Sequence, residues 1–224
     1  MIRLVQHNDW VVFIILGCIL LYVFMLLYLH RDSSVKVFLL QKFADSSNNF
    51  LSWLIISCVF TVLLATFISP SIPIVPKLVT DIHFFGYELN KFGFTLGALF
   101  LFFTLKSSLS YIFYAGTGSL KKWKLFQFSA SKFYFVFSLV LMGLCVYQFF
   151  YKVNDVQLTG YFKAIDLQIF DYYFVGFMGV FVFKIFFYLL SPNKILPQKW
   201  YYKFLYICTL QITPVLVLWK VLYL

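Results

Sequence analysis

Six long apolar blocks alternate with short polar segments along the chain. Each block holds about 20 residues with almost no charge, the length at which an α-helix crosses a ~30 Å hydrocarbon core. The pattern predicts an all-α fold, a polytopic transmembrane bundle with six spanning helices in one integral membrane domain, residues 1–224. The predicted spans cover residues 10–29, 51–69, 92–114, 133–150, 168–190 and 204–222.

Two places interrupt this regular pattern. In the third block, Lys106 and three serines follow the apolar run, so the helix either protrudes from the membrane or breaks near Lys106. After the second block, Pro70, Pro73 and Pro76 remove backbone donors and disfavour a helix, which predicts an extended or turning segment there.

The distribution of charge predicts an orientation. Ten Lys and Arg residues fall in the first, third and fifth connections and six fall on the opposite side, where most of the acids also lie. Because cytoplasmic loops carry the excess of Lys and Arg, both termini are expected on the outer, periplasmic side. The lysines expected to contact lipid headgroups at the cytoplasmic face are Lys106, Lys121, Lys122, Lys124 and Lys184.

Composition agrees with a membrane location. Hydrophobic residues make up 62% of the chain and charged residues 12%, against about a quarter charged in soluble domains. The net charge of +10 lies in short connections beside apolar helices, so it favours anionic lipid as the partner and not nucleic acid. All four cysteines lie inside apolar blocks without a CxxC pair, which predicts small buried hydrophobes.

Two pairs of glycines suggest helix packing. Gly93 and Gly97 form a GxxxG pattern at the start of the third span, and Gly176 and Gly179 form a weaker pair in the fifth. Small residues at this spacing let another helix approach closely. That helix belongs either to the same chain or to a second copy or partner protein.

The polar residues within the blocks are the candidates for an intramembrane site. Asp171 lies about one turn into the fifth span, either at the outer interface or buried, where its charge would be costly. In the last span, Pro214 frees a carbonyl and kinks the helix. Three polar neighbours can supply replacement hydrogen bonds, either as contacts between helices or as a substrate site: Thr209, Gln211 and Thr213.

Enzymatic chemistry has little support in the sequence. The chain lacks the zinc-protease, nucleophile-elbow, phosphate-loop and dinucleotide patterns, and its eight acids lie mostly in connections. Its three histidines do not face one another within a predicted span. The sequence therefore predicts no catalytic residue, no metal ligand and no cofactor.

The end of the chain resembles a known family. Residues 202–220 include Cys208-Thr209-Leu210-Gln211-Ile212-Thr213-Pro214, and this segment is similar to the C-terminal signature of the DUF4271 family of multi-spanning membrane proteins from Bacteroidota. Gln211 stands where that family usually has Glu. The stretch from Trp123 to Phe135 resembles the family's Phe-rich cytoplasmic segment more loosely. The resemblance implies a bacterial inner-membrane location and supplies no catalytic residue.

These observations predict a non-enzymatic subunit of a larger inner-membrane assembly. The phylum that the resemblance implies makes protein export or gliding machinery a possible setting, by analogy alone. The alternative is a small transporter or channel with its site at the proline-broken last helix.

Overall fold

The computed structural model describes twelve stretches of the chain, and within them the fold is helical. Four helices are long and apolar enough to cross a membrane: Trp10–Tyr28, Asn49–Ser71, Lys91–Gly116 and Leu120–Phe150. They coincide with the first four apolar blocks. The described residues are 9–29, 35–40, 49–72, 83–84, 87–88, 91–118, 120–151, 179, 182–183, 185–186, 201 and 206–223.

Up to Ile72, the described residues contain three α-helices. Helix α1 covers Asp9–Phe24 and continues as a π-helix over Met25–Leu29. Helix α2 covers only Val35–Leu40 and lies in the connection between the first two spans. Helix α3 covers Asn49–Ile68. Its apolar residues permit an uninterrupted helix whose backbone groups are all paired, as a bilayer requires.

Helix α3 ends where the sequence predicts a turn. A 3-10 turn over Ser69–Ser71 contains Pro70, and Ile72 follows in an extended conformation with φ −74° and ψ 123°. Ile72 is buried, and its carbonyl oxygen accepts a hydrogen bond of 3.1 Å from Lys91 Nζ. Pro73 and Pro76 lie outside the described residues.

A minimal hairpin and a long helix follow. Strands β1 (His83–Phe84) and β2 (Tyr87–Glu88) pair antiparallel. Helix α4 then covers Lys91–Gly116 without interruption. The sequence left open whether this helix breaks at Lys106, and the structure shows that it does not.

Helix α5 corrects the predicted connection over residues 115–132. It covers Leu120–Val146 and continues as a π-helix over Tyr147–Tyr151, so the helix begins well before Phe133. Only a tight turn separates it from α4. Lysines exclude residues 120–132 from an apolar span, but lysine is a good helix former.

The last two predicted spans are described in part. In the fifth block, Gly179, Val182, Phe183, Ile185 and Phe186 are helical. In the sixth, a π-helix over Ile207–Ile212 leads into α6, Thr213–Tyr223. Helix α6 packs against α4.

Aromatic contacts define the two ends of the described helices. At one end, the Trp10 ring lies 5.4 Å from Phe92 and 5.8 Å from Phe149, which joins the start of α1, the start of α4 and the end of α5. We call this the tryptophan end. The opposite end holds the turn between α4 and α5 and the lysines Lys121, Lys122, Lys124 and Lys132, and we call it the basic end.

The hydrophobic core lies among α1, α3 and α5. Half of the most apolar part of α3 is buried, against 17% of that of α4, so α3 is central and α4 is peripheral. Fully buried side chains of the core include Met25, Ile56, Leu63 and Leu141. Helix α2 adds Phe38 to this core from the basic end.

Candidate functional site

The π-helix before Pro214 is the most irregular part of the predicted site. The backbone N–H and the hydroxyl of Thr213 both donate to the carbonyl of Cys208, the hydroxyl at 2.8 Å. Because Pro214 has no N–H, an ordinary helix would leave a carbonyl unpaired there. A π-helix has about one more residue per turn than an α-helix, so the backbone stays helical from Ile207 into α6 and this span is not broken there.

The structure brings the predicted polar residues of the last span together on this stretch. Thr209 and Thr213 are exposed and Pro214 is half-buried. The Thr213 hydroxyl already serves the backbone, as the sequence predicts for this group. The Gln211 side chain lies outside the described residues. Wide turns of this kind are frequent at functional sites, and they also serve simply to accommodate proline.

A buried hydrogen bond joins α1 to α5. The Ser138 hydroxyl donates to the carbonyl of Phe135 at 2.7 Å, so the hydroxyl of Tyr22 is the donor in the bond between Tyr22 and Ser138. The Tyr22 ring also packs on Phe135 at 4.9 Å. Sequence reasoning missed this contact, because a tyrosine and a serine inside apolar blocks carry no pairing signal.

The cysteines are less uniform than predicted. Cys18 and Cys145 are buried as expected, and the Cys145 thiol lies 3.8 Å from the carbonyl oxygen of Leu63. Cys58 is exposed and Cys208 is partly exposed, so the prediction is wrong for these two. All four are free thiols. No group of three His, Cys, Asp or Glu residues able to hold a metal ion occurs in the described part of the chain.

The predicted lipid contacts lie at the basic end. Lys121 and Lys124 are exposed at the start of α5, and Lys122 is half-buried. Lys106 is half-buried on α4, with Nζ 5.9 Å from the centre of the Phe102 ring. Lys184 lies outside the described residues.

An aromatic cluster ties the last helix to this end. Tyr206 is fully buried, and its ring lies 5.5 Å from Phe113, 5.7 Å from Phe126 and 6.0 Å from Tyr114. The Tyr111 ring packs on Trp123 at 5.2 Å. The cluster holds the C-terminal end of α4 and the start of α5 against the start of the last helix.

The segment from Gly116 to Gly118 lies in the turn of this helical hairpin. Gly118 has φ +67°, and its N–H donates to the carbonyl of Ala115 at 3.0 Å. The Thr117 hydroxyl donates to the carbonyls of Phe113 and Tyr114 at 3.1 and 3.2 Å. These bonds satisfy carbonyls that a helix end leaves free, so the segment is a helix cap.

Lys132 connects α5 to the short helix α2. Its Nζ donates to the carbonyl of Leu39 at 2.7 Å and lies 4.6 Å from the centre of the Phe128 ring. Next to it, the Phe38 ring packs on Phe135 at 5.2 Å. Sequence reasoning counted Lys132 only as a charge in a connection.

One face of α4 is open. An added Cβ at Gly97 would meet nothing within 4 Å, so no helix among the described residues approaches it closely. Phe100, Leu101 and Thr104 follow on the same side of the helix and are all exposed. We call these four residues the Gly97 face. Gly93 is half-buried one turn earlier.

The second glycine pair and the candidate acid are only partly described. Gly179 is exposed, and an added Cβ there would also meet nothing within 4 Å. Gly176 and Asp171 lie outside the described residues. Of the predicted glycines, Gly97 and Gly179 are thus the two at which no other described residue lies within 4 Å of an added Cβ.

The chain matches no family model, no curated protein and no solved structure.

Proposed function

We propose that the chain is a non-enzymatic subunit of a larger assembly in the bacterial inner membrane. In this proposal it crosses the membrane six times, with the tryptophan end and both termini on the periplasmic side. The four apolar helices and the gathering of Lys121, Lys122 and Lys124 at one end support the membrane placement and the orientation. Membership of the DUF4271 family, and a role in protein export or gliding, remain part of the proposal.

The open Gly97 face is the observation that carries this proposal. Helix α4 is the least buried of the four candidate spans, and its Gly97 side has room for a helix backbone. In a bilayer, helices associate through close packing at small residues and through polar contacts, because lipid tails remove the hydrophobic driving force. Gly97 offers the first. For the second, the exposed Thr104 hydroxyl donates to the carbonyls of Phe100 and Leu101 on its own helix, at 3.0 and 2.9 Å, and its oxygen can still accept a hydrogen bond from a partner. The fitting partner is an apolar transmembrane helix of another subunit.

Helix α4 is long enough to extend past the bilayer into the cytoplasm. If Lys106 lies at the inner headgroups, the helix extends on the order of 15 Å into the cytoplasm before it ends at Gly116. The start of α5 returns alongside it, held by the aromatic cluster around Tyr206. This hairpin would carry Lys121, Lys122 and Lys124 roughly 10 Å beyond the inner headgroups, about one Debye length away, so they would attract anionic lipid through the surface potential and not by direct contact.

Co-purification of glycine variants tests the proposal. Gly97→Leu adds bulk on the Gly97 face, and Gly143→Leu adds the same bulk on an open face of α5. Both positions have free space, so both variants are expected to fold. We expect Gly97→Leu to lose stoichiometric partners after mild solubilisation of native membranes and Gly143→Leu to keep them. A wild-type chain that purifies as a clean monomer at native expression contradicts the proposal.

A transporter or channel is the second candidate, favoured by the π-helix at the last span. Wide turns expose backbone carbonyls that can bind ions or polar solutes. Cysteines placed at Thr209 and Thr213 would react with aqueous thiol reagents if a pathway passes there. Complete protection of both positions argues against this candidate.

A further inference from the structure

Helix α2 is too short to be stable by itself. It has six residues, whereas an isolated helix in water needs about 12–15 to be even marginally stable. Its order therefore depends on what it touches. Two contacts with α5 are visible: Phe38, only 2% exposed, packs on Phe135, and the carbonyl of Leu39 accepts a hydrogen bond from Lys132.

Lys132 acts on the C-terminal end of α2. The last four carbonyls of any helix have no donor within the helix, and they carry the negative end of its dipole. No basic residue lies in the last turn of α2. Lys132 supplies that cation from α5, with Nζ 2.7 Å from the oxygen of Leu39.

The carbonyl is a weak partner for an ammonium group compared with a phosphate. The bond from Lys132 to the carbonyl of Leu39 already gains from the ammonium charge, but a phosphate adds a full negative charge that a neutral carbonyl lacks. Lys132 is half-buried and not sealed off, so a competing anion can reach it. Described lysines cluster at the same end, and Leu40 beside it exposes 71% of its apolar side chain. A bilayer surface fits this combination of positive charge and exposed apolar area.

We propose that Lys132 is a lipid-sensitive latch on α2. An anionic phospholipid headgroup takes the Lys132 ammonium from the carbonyl of Leu39, and α2 then leaves the core. Release also withdraws Phe38 from Phe135, which packs on Tyr22. The lipid composition at the basic end is thereby coupled to the contact between α1 and α5. This inference rests on the proposed inner-leaflet position of the basic end but not on assembly with a partner.

Hydrogen exchange of the full chain in nanodiscs tests the latch. We expect the amides of Leu39 and Leu40, the two with acceptors within α2, to exchange roughly tenfold faster in phosphatidylglycerol than in phosphatidylcholine, the effect of losing one hydrogen bond to a charged group. Lys132→Gln should exchange fast in both lipids, whereas Lys132→Arg should keep the lipid dependence. Continued protection of α3 in each variant shows that the bundle is folded.

A matched control separates the latch from general surface charge. Lys36→Gln removes the same charge from an exposed residue of α2 itself, away from the bond between Lys132 and Leu39, so it should keep the lipid difference. Equal exchange of wild-type α2 in the two lipids, or slower exchange in phosphatidylglycerol, overturns the proposal. Acceleration by inorganic phosphate in phosphatidylcholine nanodiscs overturns the assignment to a lipid headgroup. Co-purification with partners is a separate readout, so the two proposals fail independently.

Discussion

Hydroxyl groups inside the apolar helices mostly bond to their own helix. Thr61, Thr66 and Thr95 each donate to the carbonyl four residues earlier, at 2.7, 2.9 and 2.7 Å. Such bonds let a hydroxyl enter a bilayer without a partner on another helix. Hydrogen bonds from a hydroxyl to its own helix can be predicted from the sequence. The bond from Tyr22 to Ser138 differs, and it could not be predicted because it depends on how α1 and α5 are packed.

The bond between Tyr22 and Ser138 should contribute modestly to stability. Hydrogen bonds between membrane helices average about 0.6 kcal/mol, with a maximum of about 1.7 kcal/mol. We expect Tyr22→Phe and Ser138→Ala each to lower the free energy of unfolding by roughly this average. Unfolding in micelles with a double-mutant cycle checks it. The double variant should cost less than the two single costs combined, and strict additivity would show that the bond contributes nothing.

At the scale of elements, hydropathy predicts a connection over residues 120–132, whereas these residues form the first part of a helix. Lysines mark these residues as unsuited to the bilayer, and the sequence analysis took them for a connection. The structure makes them helix, since charge excludes a segment from lipid but not from a helix. The last span shows a related limit: Pro214 correctly predicts a disturbance there, but not that a π-helix absorbs it.

In the turn between α4 and α5, replacing each of two glycines by alanine should change the stability in different directions. Gly118 has a positive φ, so Gly118→Ala should destabilise the hairpin by about 1 kcal/mol. Gly116 ends α4 with free space around its Cα, so Gly116→Ala should be neutral or stabilise by up to about 1 kcal/mol. Thermal unfolding of both variants in one detergent compares them directly. Equal effects of the two substitutions would contradict the assigned role of Gly118.

At the scale of the whole molecule, the four described spans follow from block length and lack of charge alone. Their arrangement does not. The helices are apolar on nearly all sides, so no periodic pattern indicates that α3 is central and α4 peripheral. The site was predicted to the same extent: the Gly97 pattern and the Pro214 segment were visible, but the open space at Gly97 and the role of Lys132 required neighbours in three dimensions.

Photo-crosslinking in native membranes tests the central claim, that the Gly97 face meets another protein, most directly. A photoreactive residue replaces Leu101 on that face, or Val140 on α5 as a control, since the two are 58% and 54% exposed. We predict one discrete protein adduct at Leu101 and lipid adducts alone at Val140. Lipid adducts alone at Leu101, or the same protein adduct at both positions, would contradict the account.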